Sequence, residues 1–378
     1  MNTPDTLSFW ERDRFFSGVD VTVIGSGIVG LSAAISVRDK LPNARILIVE
    51  RGILPEGAST RNAGFACFGS IGELLDDLKT HSEADLLKLV ELRFRGLRLL
   101  RKRIGDANMD YTGNGGYEIF KSEDKLFFKE CADSINYFNR LLSPVIGKKN
   151  IFRLSKNDFG FNNIMPQLIH NTAEGQIDTG KMIERLLLIA QNKKIRQLNG
   201  LTVSHLNDEG KSVCITTSNG WAFNSQKVIV ATNGFAGTLL PHLNVEPKRN
   251  QVIMTAPIEG LKLKGCFHFE NGYFYFRNVG NRVLIGGGRH LDPENESTDQ
   301  FGITEFIQNK LIALLSDMVL PKQKFFISDS WSGILGVGKE KKPIIQKISP
   351  NVVVAVRMAG MGVAIGSSVG ESAAELIN

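Results

Sequence analysis

Asp20-Val21-Thr22-Val23-Ile24-Gly25-Ser26-Gly27-Ile28-Val29-Gly30-Leu31-Ser32-Ala33-Ala34 runs an apolar strand into a glycine turn and then into a helix of small residues. Gly25 permits the tight turn, Gly27 leaves the backbone open to a pyrophosphate, and Gly30 lets the helix lie close on the strand. The amides at the helix start then meet phosphate charge. Arg45-Ile46-Leu47-Ile48-Val49 reads as the second strand and delivers Glu50 twenty residues after Gly30, where a carboxylate can take both ribose hydroxyls. The βαβ unit of a dinucleotide site is complete, with NAD and FAD both open at this point.

With 378 residues, 42% hydrophobic and 22% charged, the chain has room for two domains with cores of their own. The segment before residue 19 carries Asp5, Glu11, Arg12, Asp13 and Arg14 without a continuous apolar core, so no secretory signal is expected. No run reaches membrane-spanning length. Cys67, Cys131, Cys214 and Cys266 form no CxxC pair, which suits reduced thiols and a cytoplasmic location. The dispersed histidines suggest no metal site. Residues 93–103 are the most basic stretch, in a helical pattern beginning at Ser82, and read as a solvated face rather than a membrane or nucleic-acid surface.

Beyond the βαβ unit, Gly57-Ala58-Ser59-Thr60-Arg61-Asn62-Ala63-Gly64-Phe65-Ala66-Cys67-Phe68-Gly69 is too long and too rich in small residues for an ordinary connection. Helical patterns dominate to about residue 140, and a capped amphipathic helix resumes over 177–190. Strands are expected over 201–206, 212–217 and 227–232, the last running into the small-residue turn Ala231-Thr232-Asn233-Gly234. Tyr273–Arg277 and 282–286, around Gly280-Asn281, read as an antiparallel hairpin. Val352-Val353-Val354-Ala355-Val356 leads into the glycine turn at Gly360-Met361-Gly362, with a final helix expected from about Ser367. Glycine turns at both ends of the chain imply a long cofactor and a return to the first domain.

In order, Gly25-Ser26-Gly27-Ile28-Val29-Gly30 with Glu50, the loop 57–64, Ala231-Thr232-Asn233-Gly234 and Gly360-Met361-Gly362 resemble the D-amino-acid-oxidase-like family of FAD enzymes over almost the whole chain. The resemblance implies an α/β fold: a Rossmann-like FAD domain (17–78, 165–247 and 331–378) with a second antiparallel-sheet, α+β substrate domain (79–164 and 248–330). It implies non-covalent FAD. Gly25, Gly27, Ile28, Val29, Gly30, Glu50 and Arg51 would hold the ADP half, with Val203 touching the adenine through its backbone. Ser59, Thr60, Asn62, Ala63, Gly64 and Phe65 would follow the pyrophosphate, ribityl chain and ring. Ala231, Asn233, Gly234 and Gly333 would complete the site, with Gly360, Met361, Gly362, Val363 and Ala364 closing on the flavin. The positive end of the last helix would then favour negative charge on the reduced ring.

The same resemblance implies oxidation of the C–N bond of an amino acid or amine by hydride transfer to flavin N5, with O2 or another carrier as electron acceptor. A 2-hydroxy-acid or polyol dehydrogenase is the alternative enzyme, and a flavin-binding module without turnover the alternative outside catalysis. Leu335 stands where relatives place a carboxylate-binding arginine, and Gly360 where a second would fall. An anionic small-molecule substrate would therefore be gripped from the hairpin, by Arg277 or Arg289 beside Tyr275. His290 reads as an exposed hairpin charge, and core packing is expected for one of Tyr273 and Tyr275. Cys67 reads as a small buried residue, and Gly366-Ser367-Ser368-Val369-Gly370, with no histidine after it, as helix packing rather than a hydrolase elbow.

Overall fold

The computed structural model describes residues 7–377, so Asp5 lies outside the described residues. Val19–Ile24 is central to the first sheet, pairing in parallel with Ile46–Val49 on one side and Ala222–Val230 on the other. Arg196–Leu198 extends it beyond Ile46–Val49, and Val352–Val356 beyond Ala222–Val230, both in parallel. Apolar β-branched residues buried on both faces suit such strands. Their carboxyl ends bring Gly25, Glu50, Ala231 and Arg357 to one edge, where an open α/β sheet binds ligands.

Two strand boundaries differ from expectation. Ala222–Val230 begins earlier than residue 227, because its first half pairs antiparallel with Val213–Thr217 while its second half joins Val19–Ile24. Val203–Asp208 starts two residues later than expected, since 201–202 hydrogen-bond as loop to Glu50 and Ser218.

The helix Ile28–Lys40 packs against Gly362–Glu375 through small residues. A Cβ on Gly370 would lie 2.5 Å from the Val29 carbonyl oxygen, and one on Gly366 2.6 Å from the Ile28 side chain. Ser368 donates to the carbonyls of Leu92 and Ile365. The GxSxG run is therefore packing surface. The last helix starts at Gly362, five residues before the expected Ser367, so its first turn belongs to the cofactor edge.

The long helix Glu83–Ile104 is capped by Ser82, whose hydroxyl accepts from the Asp85 amide. Its basic stretch is not simply a solvated face. Arg93 is buried and donates to the Phe68 carbonyl at 2.9 Å, while Arg95 pairs with Glu371 at 2.9 Å. Gly96, whose absent side chain lets this helix approach the final one, brings Glu371 to Arg95, while Arg93 is covered by the loop at Phe68 and Gly69.

The second sheet runs Ile327–Val337, Glu246–Thr255, Arg282–Gly287, Phe274–Val279, Cys266–Phe269, Gly116–Glu118, Gln167–Asn171, Phe152–Lys156. The expected hairpin is present, with Gly280 in the left-handed region at φ +57. The sheet is antiparallel except where Cys266–Phe269 meets Gly116–Glu118 in parallel. Two stretches assigned from sequence to the cofactor domain, 167–171 and 331–337, hydrogen-bond into this sheet instead. Ile327–Val337 pairs along almost its whole length with Glu246–Thr255, so it cannot be divided at residue 331. Period-two alternation buries Phe274 and Phe276 in one core and turns Tyr273, Tyr275 and Arg277 to the opposite face.

A Cβ on Gly96 would sit 2.1 Å from the Ala364 carbonyl oxygen. Gly96→Val is expected to lower the thermal midpoint, costing about 1–3 kcal/mol by overpacking, and to loosen the turn at 360–364; thermal denaturation monitored by circular dichroism checks it.

Candidate active site

Glu50 ends its strand buried, and its Oε2 accepts from the Ser26 amide at 2.9 Å and the Ser26 hydroxyl at 2.7 Å, while Oε1 accepts from the Gly52 amide at 3.1 Å. These bonds fix the carboxylate against the glycine turn. Gly25 has φ +101, and a Cβ there would come 2.8 Å from the Ala231 carbonyl oxygen, so only glycine joins these two turns. Gly30 would place a Cβ 1.9 Å from the Gly25 carbonyl oxygen. Ser59 accepts from the Ile28 amide at 2.9 Å, tying the small-residue loop to the first helix turn.

Asn233 accepts from the Met358 amide at 3.1 Å, locking two of the turns together. Arg357, Ala359 and Gly360 have positive φ, at 69, 48 and 84 degrees, a strained bend that brings the final helix's first turn to the sheet edge.

Two cavities meet along this edge. The smaller, 180 Å³, is lined by Gly25, Gly27, Ile28, Val29, Glu50, Arg51, Ser59, Val203, Ala231, Asn233 and Gly362 among others. The larger, 610 Å³, is lined by Ala63, Gly64, Phe65, Gly333, Met361 and Ala364 and by the tyrosine face of the hairpin. Asn62, Leu335, Gly360 and Val363 border both. Three residues expected at the cofactor border neither cavity: Gly30 serves helix packing, Gly234 lies against the Leu335 backbone, and the Thr60 hydroxyl donates to the Pro55 carbonyl at 2.6 Å. Arg51 stacks on Phe235, 3.6 Å from the ring centroid.

The hairpin separates the two arginines. Arg277 is buried and does not line the cavity; its guanidinium donates to the carbonyls of Ala63 and Ile177, the latter at 2.9 Å, and so clamps the loop that carries Gly64. As a substrate ligand Arg277 is corrected, because its donors are consumed by backbone. Arg289 does line the cavity, with its guanidinium 4.9 Å from the Tyr273 ring centroid. Burial lowers its pKa, and the charges acting on it are the phenols of Tyr273 and Tyr275.

Both tyrosines line the cavity, and Tyr275 also packs against the apolar cluster of Ala63, Val252 and Leu284, so it is the tyrosine of the pair that serves the core. Asn250 donates to the Tyr275 hydroxyl at 3.0 Å, and burial pushes that phenol up to about 12. The Tyr275 O–H is therefore retained and left free to donate into the cavity. His290 also lines the cavity, its ring tilted against Tyr273 with centroids 4.4 Å apart and its Nε2 3.1 Å from a Glu270 oxygen, rather than standing in solvent. Cys67 is half-buried on the cavity wall with its thiol pushed up by burial.

Sequence reasoning missed Asn250, His268, Glu73, Asp77 and Glu174. Asn250 had a signal: it stands next to Gln251 at the head of an apolar strand, and polar groups there need partners. Glu174 accepts from the amides of Phe68 and Gly69 at 2.7 and 3.0 Å and is pushed up to about 7 by burial. Glu118 holds the adjoining Ser70 hydroxyl and Gly72 amide, each at 3.1 Å, and is pushed up to about 8. Glu73 and Asp77 share the helix Ile71–Leu78 at a spacing of four, but nothing local in the sequence joins them to Glu118, Glu174 or His268.

The family model described as FAD dependent oxidoreductase matches residues 20–376. The chain belongs to this FAD-dependent oxidoreductase family. It is an enzyme, with FAD as its cofactor. A curated relative, "Probable oxidoreductase OrdL" of Haemophilus influenzae, is 22% identical over 389 residues, covering 95% of this chain and 82% of the relative. Among solved structures, glycine oxidase from Geobacillus kaustophilus superposes with a TM-score of 0.73 at 19% identity, over 95% of this chain and 94% of that one. L-proline dehydrogenase from P. horikoshii gives 0.73 at 17%, over 95% and 93%. These likenesses establish the fold. No helix among the described residues is long and apolar enough to cross a membrane, and no cluster of metal-ligating side chains occurs among them.

The paired cavities fit FAD. Glycines 25 and 27 open the narrower one beside a fixed carboxylate, and the final helix opens its first turn onto the junction. Glu50→Gln is expected to weaken FAD binding about tenfold or more, through loss of charge-assisted bonds worth about 1.5–3 kcal/mol, measured by equilibrium titration of apoprotein. Arg277→Met leaves two carbonyls unpaired. It is expected to lower both thermal stability and FAD retention, by about 1–3 kcal/mol, while the KM of the FAD-saturated enzyme changes little.

Proposed function

We propose that this FAD enzyme oxidises the C–N bond of an amino acid or amine that carries a carboxylate, with Arg289 as the carboxylate ligand. The observation that carries the reading is the Arg289 guanidinium, which lines the larger cavity with no hydrogen-bonded or ion-paired partner among the described residues. Leu335 gives no charge at the junction of the two cavities, so the cation comes instead from the far end of the hairpin.

The ADP half of the cofactor is assigned to the 180 Å³ cavity, with Glu50 on the ribose and Val203 near the adenine. Residues 62–65, 333 and 360–364 border the flavin. FAD, when bound, supplies the hydride acceptor. The protein's part is positioning and electrostatics. Arg289, with its planar fork of donors, can hold a carboxylate bidentately. Tyr273 underlies that guanidinium, and Tyr275 offers a hydroxyl oriented by Asn250. The first turn of Gly362–Glu375 directs positive dipole towards the place where reduction leaves negative charge. Glycine oxidase from Bacillus cereus and iminodiacetate oxidase from Chelativorans share the fold, which supports the C–N reading over oxidation of 2-hydroxy acids or polyols.

Anaerobic mixing of the yellow protein with amino acids, secondary amines and 2-hydroxy acids tests the reading. Bleaching by amino acids or amines is expected; bleaching by 2-hydroxy acids alone would overturn it. Re-oxidation with O2 then separates oxidase from dehydrogenase. Arg289→Met is expected to reduce kcat/KM for the bleaching substrate by one to two orders of magnitude, about 1.4–2.8 kcal/mol, with FAD content retained and partial recovery in Arg289→Lys. Turnover within threefold of the parent would remove Arg289 from the site.

A further inference from the structure

The larger cavity has a second charged end. Glu73, Asp76, Asp77 and Glu174 line it, and the cations among them are Arg93 and Lys341. Carboxylates therefore outnumber cations there. Much of this charge is already engaged: Glu174 holds the Phe68 and Gly69 amides, and Asp77 Oδ1 lies 2.6 Å from Lys341 Nζ. What remains is specific. Asp77 is 3% exposed, and its Oδ2 is buried without a hydrogen-bond partner. His268 is 7% exposed, and its Nδ1 is likewise unpartnered. Glu73 accepts from the Ser70 amide through Oε2, leaving Oε1 beside Gly272, where a Cβ would lie 2.9 Å away.

All three groups line the cavity, and all three can accept hydrogen bonds. His268 is kept neutral by burial, so Nδ1 can present a lone pair. Buried acceptors without donors are costly, and a wall with two of them is incomplete until a donor-rich group arrives. The acidic end stands apart from Arg289. Tyrosine phenols are the charges acting on Arg289, whereas Glu73 acts on His268 and on Lys341. The turn at Asn271, Gly272 and Tyr273 spans the gap, touching Glu73 through Gly272 and Arg289 through the Tyr273 ring.

We propose that the substrate carries, besides the carboxylate held by Arg289, a distal cationic nitrogen, ammonium or guanidinium, received by Glu73, Asp77 and His268. This deepens the reading of Arg289 as a carboxylate ligand and rests on it. An apolar tail would leave Asp77 Oδ2 and His268 Nδ1 unsatisfied, whereas a tail bearing N–H donors and positive charge satisfies both and meets the excess of carboxylates. Recognition by buried polar groups discriminates more sharply than a hydrophobic pocket.

The test uses FAD-loaded protein and two carboxylates of the same length and shape, 6-methylheptanoate and 4-guanidinobutanoate, with binding read from perturbation of the flavin visible spectrum and from calorimetry. The guanidino acid is expected to bind about tenfold or more tightly. Glu73→Gln should shrink that preference to within about threefold, and Arg289→Met should weaken both ligands together. Equal affinities in the parent protein, or a preference undiminished in Glu73→Gln, overturn the proposal. Failure of 4-guanidinobutanoate to bind overturns it as well. The two readings fail separately: flavin bleaching by amino acids alongside equal ligand affinities keeps C–N oxidation and removes the distal subsite. A guanidino preference without bleaching by any amine does the reverse.

Discussion

The parallel pairing of Val19–Ile24 between Ile46–Val49 and Ala222–Val230 is the constraint on which the rest of the molecule depends. It continues past the strand ends, with the Gly25 amide donating to the Val49 carbonyl at 2.8 Å and the Ala231 amide to the Ile24 carbonyl at 2.9 Å. Three turns from distant parts of the chain are thereby held at hydrogen-bonding distance. Any side chain at Gly25 would enter the Ala231 backbone, so register and residue choice enforce each other. Everything that touches the cofactor is then hung from this edge.

The second sheet is attached through polar ties beside a small apolar cluster of Ala63, Val252 and Leu284. Arg277 reaches across from the hairpin to the Ala63 and Ile177 carbonyls, Trp331 donates to the Arg61 carbonyl at 3.0 Å, and Arg61 returns a bond to Ser332 at 3.2 Å. The Arg61, Ala63 and Ile177 carbonyls that accept these bonds lie outside the strands, and their pairing makes the loop at 58–65 a joint between the sheets. The cavity lies beneath that joint. A rigid connection there preserves the distance between the turn at 360–364 and the tyrosine face of the hairpin, which is the geometry a positioned reaction requires.

Charge in the cavity is arranged by what each group is denied. Arg277 and Arg289 lie on one hairpin; one is saturated by carbonyls and the other left with a ring beneath it and open space in front. Glu118 and Glu174, whose pKa values lie near 8 and 7, organise amides of residues 68–72 and so hold up the helix that bears Glu73 and Asp77. Burial acts on the supporting acids while the neighbouring acceptors keep free lone pairs.

The sequence by itself determined the parts whose physics is local. Gly25 is demanded by a positive φ in the turn and Gly30 by its close approach to the Gly25 carbonyl, Glu50 by strand length, and the hairpin around Gly280 by alternation and a left-handed φ. The glycine turn with Glu50, taken together with the loop 57–64 and the turns at 231–234 and 360–362, carried the resemblance to the family and to its cofactor. The tertiary structure alone decided which arginine faces the cavity, because Arg277 and Arg289 look alike until the Ala63 and Ile177 carbonyls are brought from elsewhere in the chain. It alone buried Arg93 in a helix that reads as solvated, since the Phe68 carbonyl and Gly69 that receive it come from a separate loop. It alone joined His268, on the strand Cys266–Phe269, to Glu73 and Asp77, which share one helix at a spacing of four. Partner choice for a long polar side chain depends on which backbone arrives within about 3 Å of it, and that is settled only when the whole chain is packed.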